Sequence, residues 1–531
     1  MTPTDVGNDE NNAMPAIFNN VGRMVLEQAA LGGDRTAIVC NDQRLSWSDF
    51  GRNVRKVANA LKSLGVAPGD KVAILAASSP AYVETFIGTL CAGACVVPLS
   101  GMASSEQLEV MVNDSDAKVL LVSDKMRELA MGFADRLEGI VPGGLIAVDF
   151  QTDGWADYSS WIDAADDQAP DVAIDPKDGF NLIYSSGTTG VPKGILQSHG
   201  MRSFHVERFV ASGIDETTVS LVSTPFYSNT TLVVALPTLA VGGRIILMDK
   251  FDAGKFLHLA QAEQASVAML VPVQYRRLLD HADFDKTDLS SFETKYSTSA
   301  PLRAGIKREI IDRWPGKMME VYGLTEGGGS TILSCTEFPD KLESVGVAAE
   351  GSDIRIVDGE GNEVAVGGIG EVVGRSRGMM LGYYKRQDLT DDMLWQSPEG
   401  ETYFRTGDMG RFDEDGFLFL LDRIKDMIIS GGFNIYAADL EAVLTPHEDV
   451  ADVAVIGVPS DAWGETPLGL VVKSPGSTAS EADLLNWANQ KLGKGQRLSA
   501  IEFRDSLPRS TIGKILKREL RAPYWKDAQN A

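Results

Sequence analysis

The chain has 531 residues, 44% of them apolar, and a formal net charge of −25. That length suggests about two to four compact units, and that charge repels polyanions, so neither nucleic acid nor an anionic membrane is an expected partner. No apolar run approaches the roughly 20 residues that span a bilayer, and the N-terminus, with Asp5, Asp9 and Glu10, has neither the basic nor the apolar stretch of a secretory leader.

A cytoplasmic location is therefore expected. Of the four cysteines, Cys40, Cys91, Cys95 and Cys335, only the middle two are neighbours, in CAGAC. That spacing is neither a redox CxxC nor a zinc knuckle. Buried thiols in a reducing compartment are the expectation.

In chain order, Ser46 reads as the cap of a helix. Its apolar positions Phe50, Val54, Val57, Leu61 and Leu64 are spaced 4, 3, 4 and 3, and Gly65 closes it. VAIL (Val72 to Leu75) follows as a buried strand. Ser79-Pro80 opens another helix, Cys95 to Leu99 is strand-like, SSEQLEVMV is helical and KVLLVS is a strand. This alternation predicts an α/β fold with a mainly parallel sheet covered by helices.

NLIY (Asn181 to Tyr184) is a further strand, and it runs into YSSGTTGVPKGI. The spacing is wrong for a Walker A loop, in which the lysine follows a glycine. The chemistry still points to phosphate. The glycines let backbone N–H groups converge, Ser185, Ser186, Thr188 and Thr189 add hydroxyl donors, and Lys193 adds charge.

From about Gly351 to Phe419 the pattern changes to short strands, DIRIVD, EVVGRS and FLFLL, with turns at Asp358-Gly359, Gly367-Gly368 and Asp415-Gly416. An antiparallel or barrel-like unit is expected there. Charges interrupt the apolar run FLLDRIKDMI, and a domain boundary is drawn at Asp422, dividing the chain into residues 1–421 and 422–531. An α+β pattern then resumes, with VADVAVIGVP as a strand ending at Gly457 and a helix from Glu481 to Leu492. Between Lys494 and Asp527 nine Lys/Arg face four Asp/Glu. On a strongly acidic chain that surplus favours an anionic ligand over a merely solvated face.

YSSGTTGVPKG resembles the phosphate loop of the adenylate-forming superfamily, which includes acyl-CoA synthetases, adenylation domains of peptide synthetases and firefly-type luciferases. Five more stretches follow in the family's order: YGLTE (Tyr322 to Glu326), YFRTGD (Tyr403 to Asp408), DRIKDMIISGGFNIYAADLE (Asp422 to Glu441), GVPSDAWGETP (Gly457 to Pro467) and PRSTIGK (Pro508 to Lys514). From about Ala16 onward the whole chain fits. The resemblance implies a large N-terminal domain of parallel-type sheets with a barrel-like subdomain, and a small mobile α+β C-terminal domain.

It also implies a chemistry. A carboxylate attacks the α-phosphorus of ATP, an acyl-adenylate and pyrophosphate form, and the thiol of CoA displaces AMP. ATP and CoA are then co-substrates and Mg²⁺ the cofactor. Ser185, Ser186, Gly187, Thr188, Thr189, Gly190 and Lys193 would hold the β- and γ-phosphates. Thr325 would meet the α-phosphate, and Glu326 would coordinate Mg²⁺, a hard cation that bridges phosphates.

Ser299, Ala300 and Pro301 would form the strand passing the adenine, with Tyr322 and Gly323 at the base. Asp408 would clamp the ribose hydroxyls, and Arg423 would reach the ribose or phosphates from a hinge at Asp422. Lys514 would bridge the acid and the α-phosphate during adenylation. After rotation about the hinge, Ser430, Gly431 and Gly432 would line the pantetheine tunnel.

Three positions depart from the family pattern. Tyr227 stands where a histidine is frequent, which removes a histidine gate. Ala437 stands where proline is usual and should loosen a turn. Ile512 replaces a hydroxyl residue.

The acyl pocket is expected from Phe226 to Thr231, Val271 to Tyr275, Ser297 to Ser299 and the glycines after Glu326. Tyr227 and Tyr275 would line it, and Gly327 and Gly328 would leave it room. PFYSNTTL has no acid to pair with a substrate ammonium, so an amino acid is disfavoured. A mid-sized apolar acid, fatty or aryl-substituted, is the expected small-molecule partner. A stand-alone enzyme loading a carrier protein, or a luciferase-like oxidase, is the alternative. A non-catalytic binding protein is disfavoured by Lys514, Glu326 and Asp408. The sequence leaves the oligomeric state open, a homodimer included.

Overall fold

The computed structural model describes residues 18–185, 193–430, 433–460, 463–492, 497–510 and 513–528. Among them are two large mixed sheets, one antiparallel sheet and one C-terminal sheet. Strands Thr36–Cys40, Arg244–Leu247, Val219–Val222, Val267–Leu270, Thr294–Ser297 and Lys317–Tyr322 run parallel through the middle of the nine-stranded sheet. The eight-stranded sheet has a parallel run through Gly179–Ser185, Cys95–Pro98, Lys71–Leu75 and Ala117–Val122. Lys193–Ser198 and Gly382–Tyr383 add antiparallel strands at its end.

The helix Trp47–Ser63 starts where its apolar period predicts. Ser46 Oγ accepts from the Asp49 N–H at 3.0 Å, which satisfies one of the free donors at a helix start. Phe50, Val54, Val57 and Leu61 are fully buried. The fifth position, Leu64, is the C-cap rather than a helical residue, and Gly65 takes the left-handed turn at φ 82°.

The helices Val21–Gly32, Trp47–Ser63, Pro80–Cys91 and Asn229–Ala240 share one core with strands of both large sheets. Each large apolar side chain buried there contributes about 1.5–3 kcal/mol. The four cysteines are buried and free. Among the described residues no helix is long and apolar enough to cross a membrane.

The change of pattern after Gly351 is an antiparallel sheet. It comprises Ser352–Val357, Gly370–Ser376, Thr402–Phe412, Leu394–Gln396 and Leu418–Arg423. Asp422 lies in the last of these strands. The next strand, Ile428–Ser430, belongs to the C-terminal sheet, so the chain changes sheet across residues 424–427.

One expectation is corrected in the C-terminal sheet. The strand Val450–Ser460 does not end at Gly457 but continues to Ser460 and turns back into Gly464–Lys473. Gly457 is an in-register residue opposite Pro467, and Glu465 Oε2 sits 2.7 Å from where its Cβ would be. The glycine admits a side chain from the facing strand and does not end the ladder. Ala437 opens the helix Ala437–Leu444, and Asp422 Oδ2 accepts from the Ala438 N–H at 3.2 Å, so the turn expected to be loosened is held by a carboxylate.

Candidate nucleotide and acid site

Several of the predicted residues converge at the end of the eight-stranded sheet. Register places Ser185 opposite Lys193 on adjacent antiparallel strands. Residues 186–192, with Ser186, Gly187, Thr188, Thr189 and Gly190, lie outside the described residues, as do Gly431, Gly432 and Ile512.

Lys193 Nζ lies 5.2 Å from the centre of the Tyr383 ring, a cation–π distance. The Tyr383 hydroxyl donates to Glu326 Oε1 at 3.0 Å. Burial, and then the Glu326 charge, raise the phenol above its ordinary range. One tyrosine therefore carries the predicted phosphate lysine on its face and the predicted metal carboxylate at its tip. The sequence reading missed Tyr383. Its only local signal is the glycine-aromatic pair Gly382-Tyr383 inside a segment read as barrel-like.

No described group takes Glu326 Oε2, and the described residues contain no group of three or more His, Cys, Asp or Glu that would hold a metal unaided. One open carboxylate oxygen is what Mg²⁺ requires from a protein when the substrate's phosphates and water supply the rest.

The backbone around Glu326 is tied on both sides. Thr325 O accepts from Gln197 Nε2 at 2.6 Å, and Glu326 O accepts from the Met380 N–H at 2.8 Å. Gly327 and Gly328 follow at φ 80° and 86°. A Cβ on Gly327 would sit 1.7 Å from Gly378 O, and one on Gly328 would sit 3.0 Å from Gly374 O. The sequence reading gives these glycines the role of leaving room for an acyl group; in the structure the space beside their Cα atoms is taken by backbone at Gly374 and Gly378. Gly327 and Gly328 let the backbone press against the antiparallel sheet.

On the nucleoside side, Tyr322 OH donates to Asp408 Oδ2 at 2.7 Å, and Arg423 Nε pairs with Asp408 Oδ1 at 2.5 Å. Asp408 is buried and Tyr322 half-buried. Gly323, directly after Tyr322, would bring a Cβ within 3.4 Å of Ser330. Ser299, Ala300 and Pro301 are not in a strand. The strand ends at Ser297, and Ser299 adopts φ 76°, a conformation a serine adopts only when its surroundings enforce it. Its hydroxyl meets Thr230 Oγ1 at 2.6 Å.

Tyr275 is a further correction. It is fully buried, donates to Tyr296 O at 2.9 Å and packs edge-on against Trp314, so it is core and lines no pocket. Tyr227 is half-buried. Lys514 is exposed on a tight turn, where Ser510 N–H donates to Lys514 O at 2.8 Å. The turn touches the large domain, since a Cβ on Gly513 would come within 2.8 Å of Val273 Cγ1. Ser430 ends its strand opposite Gly464.

Sequence reasoning also missed a buried polar cluster. Asn181 and Gln197 are completely buried and Arg202 is 1% exposed. Asn181 Nδ2 donates to Gln197 Oε1 at 2.9 Å, and Arg202 Nε donates to Asn181 Oδ1 at 3.1 Å. Through the Gln197 bond to Thr325 O, the cluster supports the YGLTE turn from below. Burial lowers the Arg202 guanidinium from its ordinary value to about 9.

Comparisons with known proteins identify the family. Residues 25–384 match the AMP-binding enzyme family, and residues 439–514 match the AMP-binding enzyme C-terminal domain. A feruloyl-CoA synthase from an Amycolatopsis species is 33% identical over 95% of this chain and 99% of its own. ScoC of Streptomyces coeruleorubidus, a fatty acid–acyl-carrier-protein ligase, is 29% identical over 93% of this chain and 94% of its own. ATP-bound MatB from Rhodopseudomonas palustris superimposes with a TM-score of 0.86 at 28% identity, covering 96% of this chain and 99% of its own. The chain belongs to the AMP-binding enzyme family.

Proposed function

We propose that this enzyme is an ATP-dependent carboxylate–CoA ligase that forms AMP and pyrophosphate through an acyl-adenylate, and that its acid is mid-sized and apolar, fatty or aryl-substituted. The observation that carries the reading is the Lys193–Tyr383–Glu326 chain beside the Thr325 turn. It sets a cation and a carboxylate at fixed separation where the strands around YSSGTTGVPKG end. The similarity to a feruloyl-CoA synthase over nearly the full length of both chains supports the CoA-dependent second step.

The first step brings one anion to another, so it is chiefly an electrostatic problem. In this reading Lys193 and the loop of residues 185–190 neutralise the terminal phosphates. Mg²⁺, when bound at Glu326, would add Lewis-acid stabilisation to the triphosphate. Asp408 exchanges its Tyr322 and Arg423 partners for the ribose hydroxyls, which leaves Arg423 available to the phosphates. Lys514 enters on its turn to bridge the acid and the α-phosphate. Rotation near Asp422 then withdraws it and brings Ser430 to the thiol path.

The test is AMP release over a panel of carboxylic acids, with and without CoA. Release that depends on both an apolar acid and CoA is expected. Release that responds to a carrier protein and not to CoA would overturn the reading in favour of carrier loading, the activity for which ScoC is named.

A further inference from the structure

We propose that Arg202 fixes Asn229 as a hydrogen-bond donor for an oxygen on the acid substrate, remote from the carboxylate that is activated. The pair would then set the choice among acids of one skeleton. The proposal rests on the carboxylate–ligase reading above for its substrate.

Arg202 projects from the helix His199–Ala211 into a site where all its partners are neutral. Nη2 donates to Gln197 Oε1 and, at 2.8 Å, to Asn229 Oδ1. Nε donates to Asn181 Oδ1 at 3.1 Å, and Nη1 lies 3.4 Å from His205 Nδ1. Among the described residues no carboxylate pairs with it. A guanidinium only donates, so each amide must turn its oxygen inward and its NH₂ outward, and His205 must accept at Nδ1.

Two of the three outward amides are used inside the protein. Asn181 Nδ2 serves Gln197 Oε1 at 2.9 Å, and Gln197 Nε2 serves Thr325 O at 2.6 Å. For the third, Asn229 Nδ2, no described residue supplies an acceptor. Asn229 is half-buried as the first residue of the helix Asn229–Ala240. Its neighbour Thr230 meets Ser299 Oγ at 2.6 Å, so Asn229 adjoins in sequence a residue that touches the segment expected to hold the acyl group. The uncompensated charge behind it polarises the amide toward stronger donation. A methoxy, hydroxyl or carbonyl oxygen satisfies this donor, and a bare ring or alkyl end does not.

The experiment is calorimetric binding of aryl acids of one skeleton, bare or carrying a methoxy group at the end remote from the carboxylate. Methoxy accepts and cannot donate. The unaltered enzyme is expected to bind the methoxy acid about tenfold more tightly, and parity overturns the proposal. Asn229→Asp keeps an acceptor toward Arg202 but offers no donor, so the methoxy-to-bare ratio should fall to one or below. An unchanged ratio overturns the proposal.

Arg202→Gln removes the obligatory donor and should lower the same ratio. An unchanged ratio with a reduced melting temperature would make Arg202 purely structural and likewise overturn it. Should neither variant fold, the methoxy preference of the unaltered enzyme decides alone. CoA-dependent AMP release is followed in parallel. Its absence with the preference intact overturns the ligase reading and leaves the Asn229 donor standing.

Discussion

Glu326 has one oxygen on the Tyr383 hydroxyl and the other without a hydrogen-bond donor among the described residues. Glu326→Gln keeps the shape and removes the charge, so adenylation should fall and the response of its rate to added Mg²⁺ should weaken. An unchanged Mg²⁺ dependence would take Glu326 out of the site. Lys514 offers a sharper split. Removing a preorganised charge contact typically costs about 3–4 kcal/mol, or about 10²–10³ in rate. Lys514→Ala should lose that much in acyl-adenylate formation, yet convert a supplied acyl-adenylate and CoA to thioester at close to the parent rate. Loss in both assays with a lowered melting temperature would mark the lysine as structural.

The turn after Glu326 depends on backbone approach more than on side chains. Gly327→Ala would force a Cβ to within 1.7 Å of Gly378 O at a φ of 80°. The strained conformation and the displaced backbone should together cost about 2 kcal/mol or more, with Tm and adenylation falling together. Gly305→Ala is the control. It lies in the helix Ala304–Arg313 with open space around the added methyl, so it should hold or raise Tm, since alanine is the better helix former by about 0.5–1 kcal/mol.

The same turn shows what the sequence makes legible. Period and caps read correctly wherever local propensity agrees with burial, as in Trp47–Ser63 and in Pro80–Cys91, where Ser79 caps and proline opens. Motif order singled out Glu326 and Asp408, which the fold places beside Tyr383 and Tyr322. What did not read were groups whose meaning depends on distant chain. Tyr383 meets Glu326 across 57 positions, Arg202 meets Asn229 across 27, and Tyr275 turns into the core toward Trp314. The glycines after Glu326 look the same in sequence whether they clear a pocket or admit a neighbouring backbone.

At the scale of the molecule, the chain passes from the antiparallel sheet to the C-terminal sheet over residues 424–427, directly after Asp422. Asp422 pairs with Met409 on one side and holds the start of the helix Ala437–Leu444 on the other. Proline fixes φ near −65° and removes that carboxylate. Asp422→Pro should therefore hinder reorientation, sparing adenylation while transfer to CoA falls steeply. Asp422→Asn, which retains an acceptor for Ala438, should transfer nearly normally. Equal loss of both half-reactions in the proline variant would point to misfolding or to a pivot elsewhere.

The placement of the cysteines bears on how such an enzyme survives its own co-substrate. A protein that admits CoA at every turnover also meets its disulfide, and an accessible protein thiolate that attacks that disulfide forms a mixed disulfide and releases one CoA thiol. All four thiols here are buried, and burial raises Cys91, Cys95 and Cys335 to about 12. At neutral pH almost none of each is thiolate, the form that exchanges. Burial thus shields these thiols from oxidised CoA in the folded enzyme, and opening of the core exposes them. Thiol capture then acts as a clock for global opening, with one sulfur at Cys335 in the nine-stranded sheet's core and two, Cys91 and Cys95, in the cores around the eight-stranded sheet.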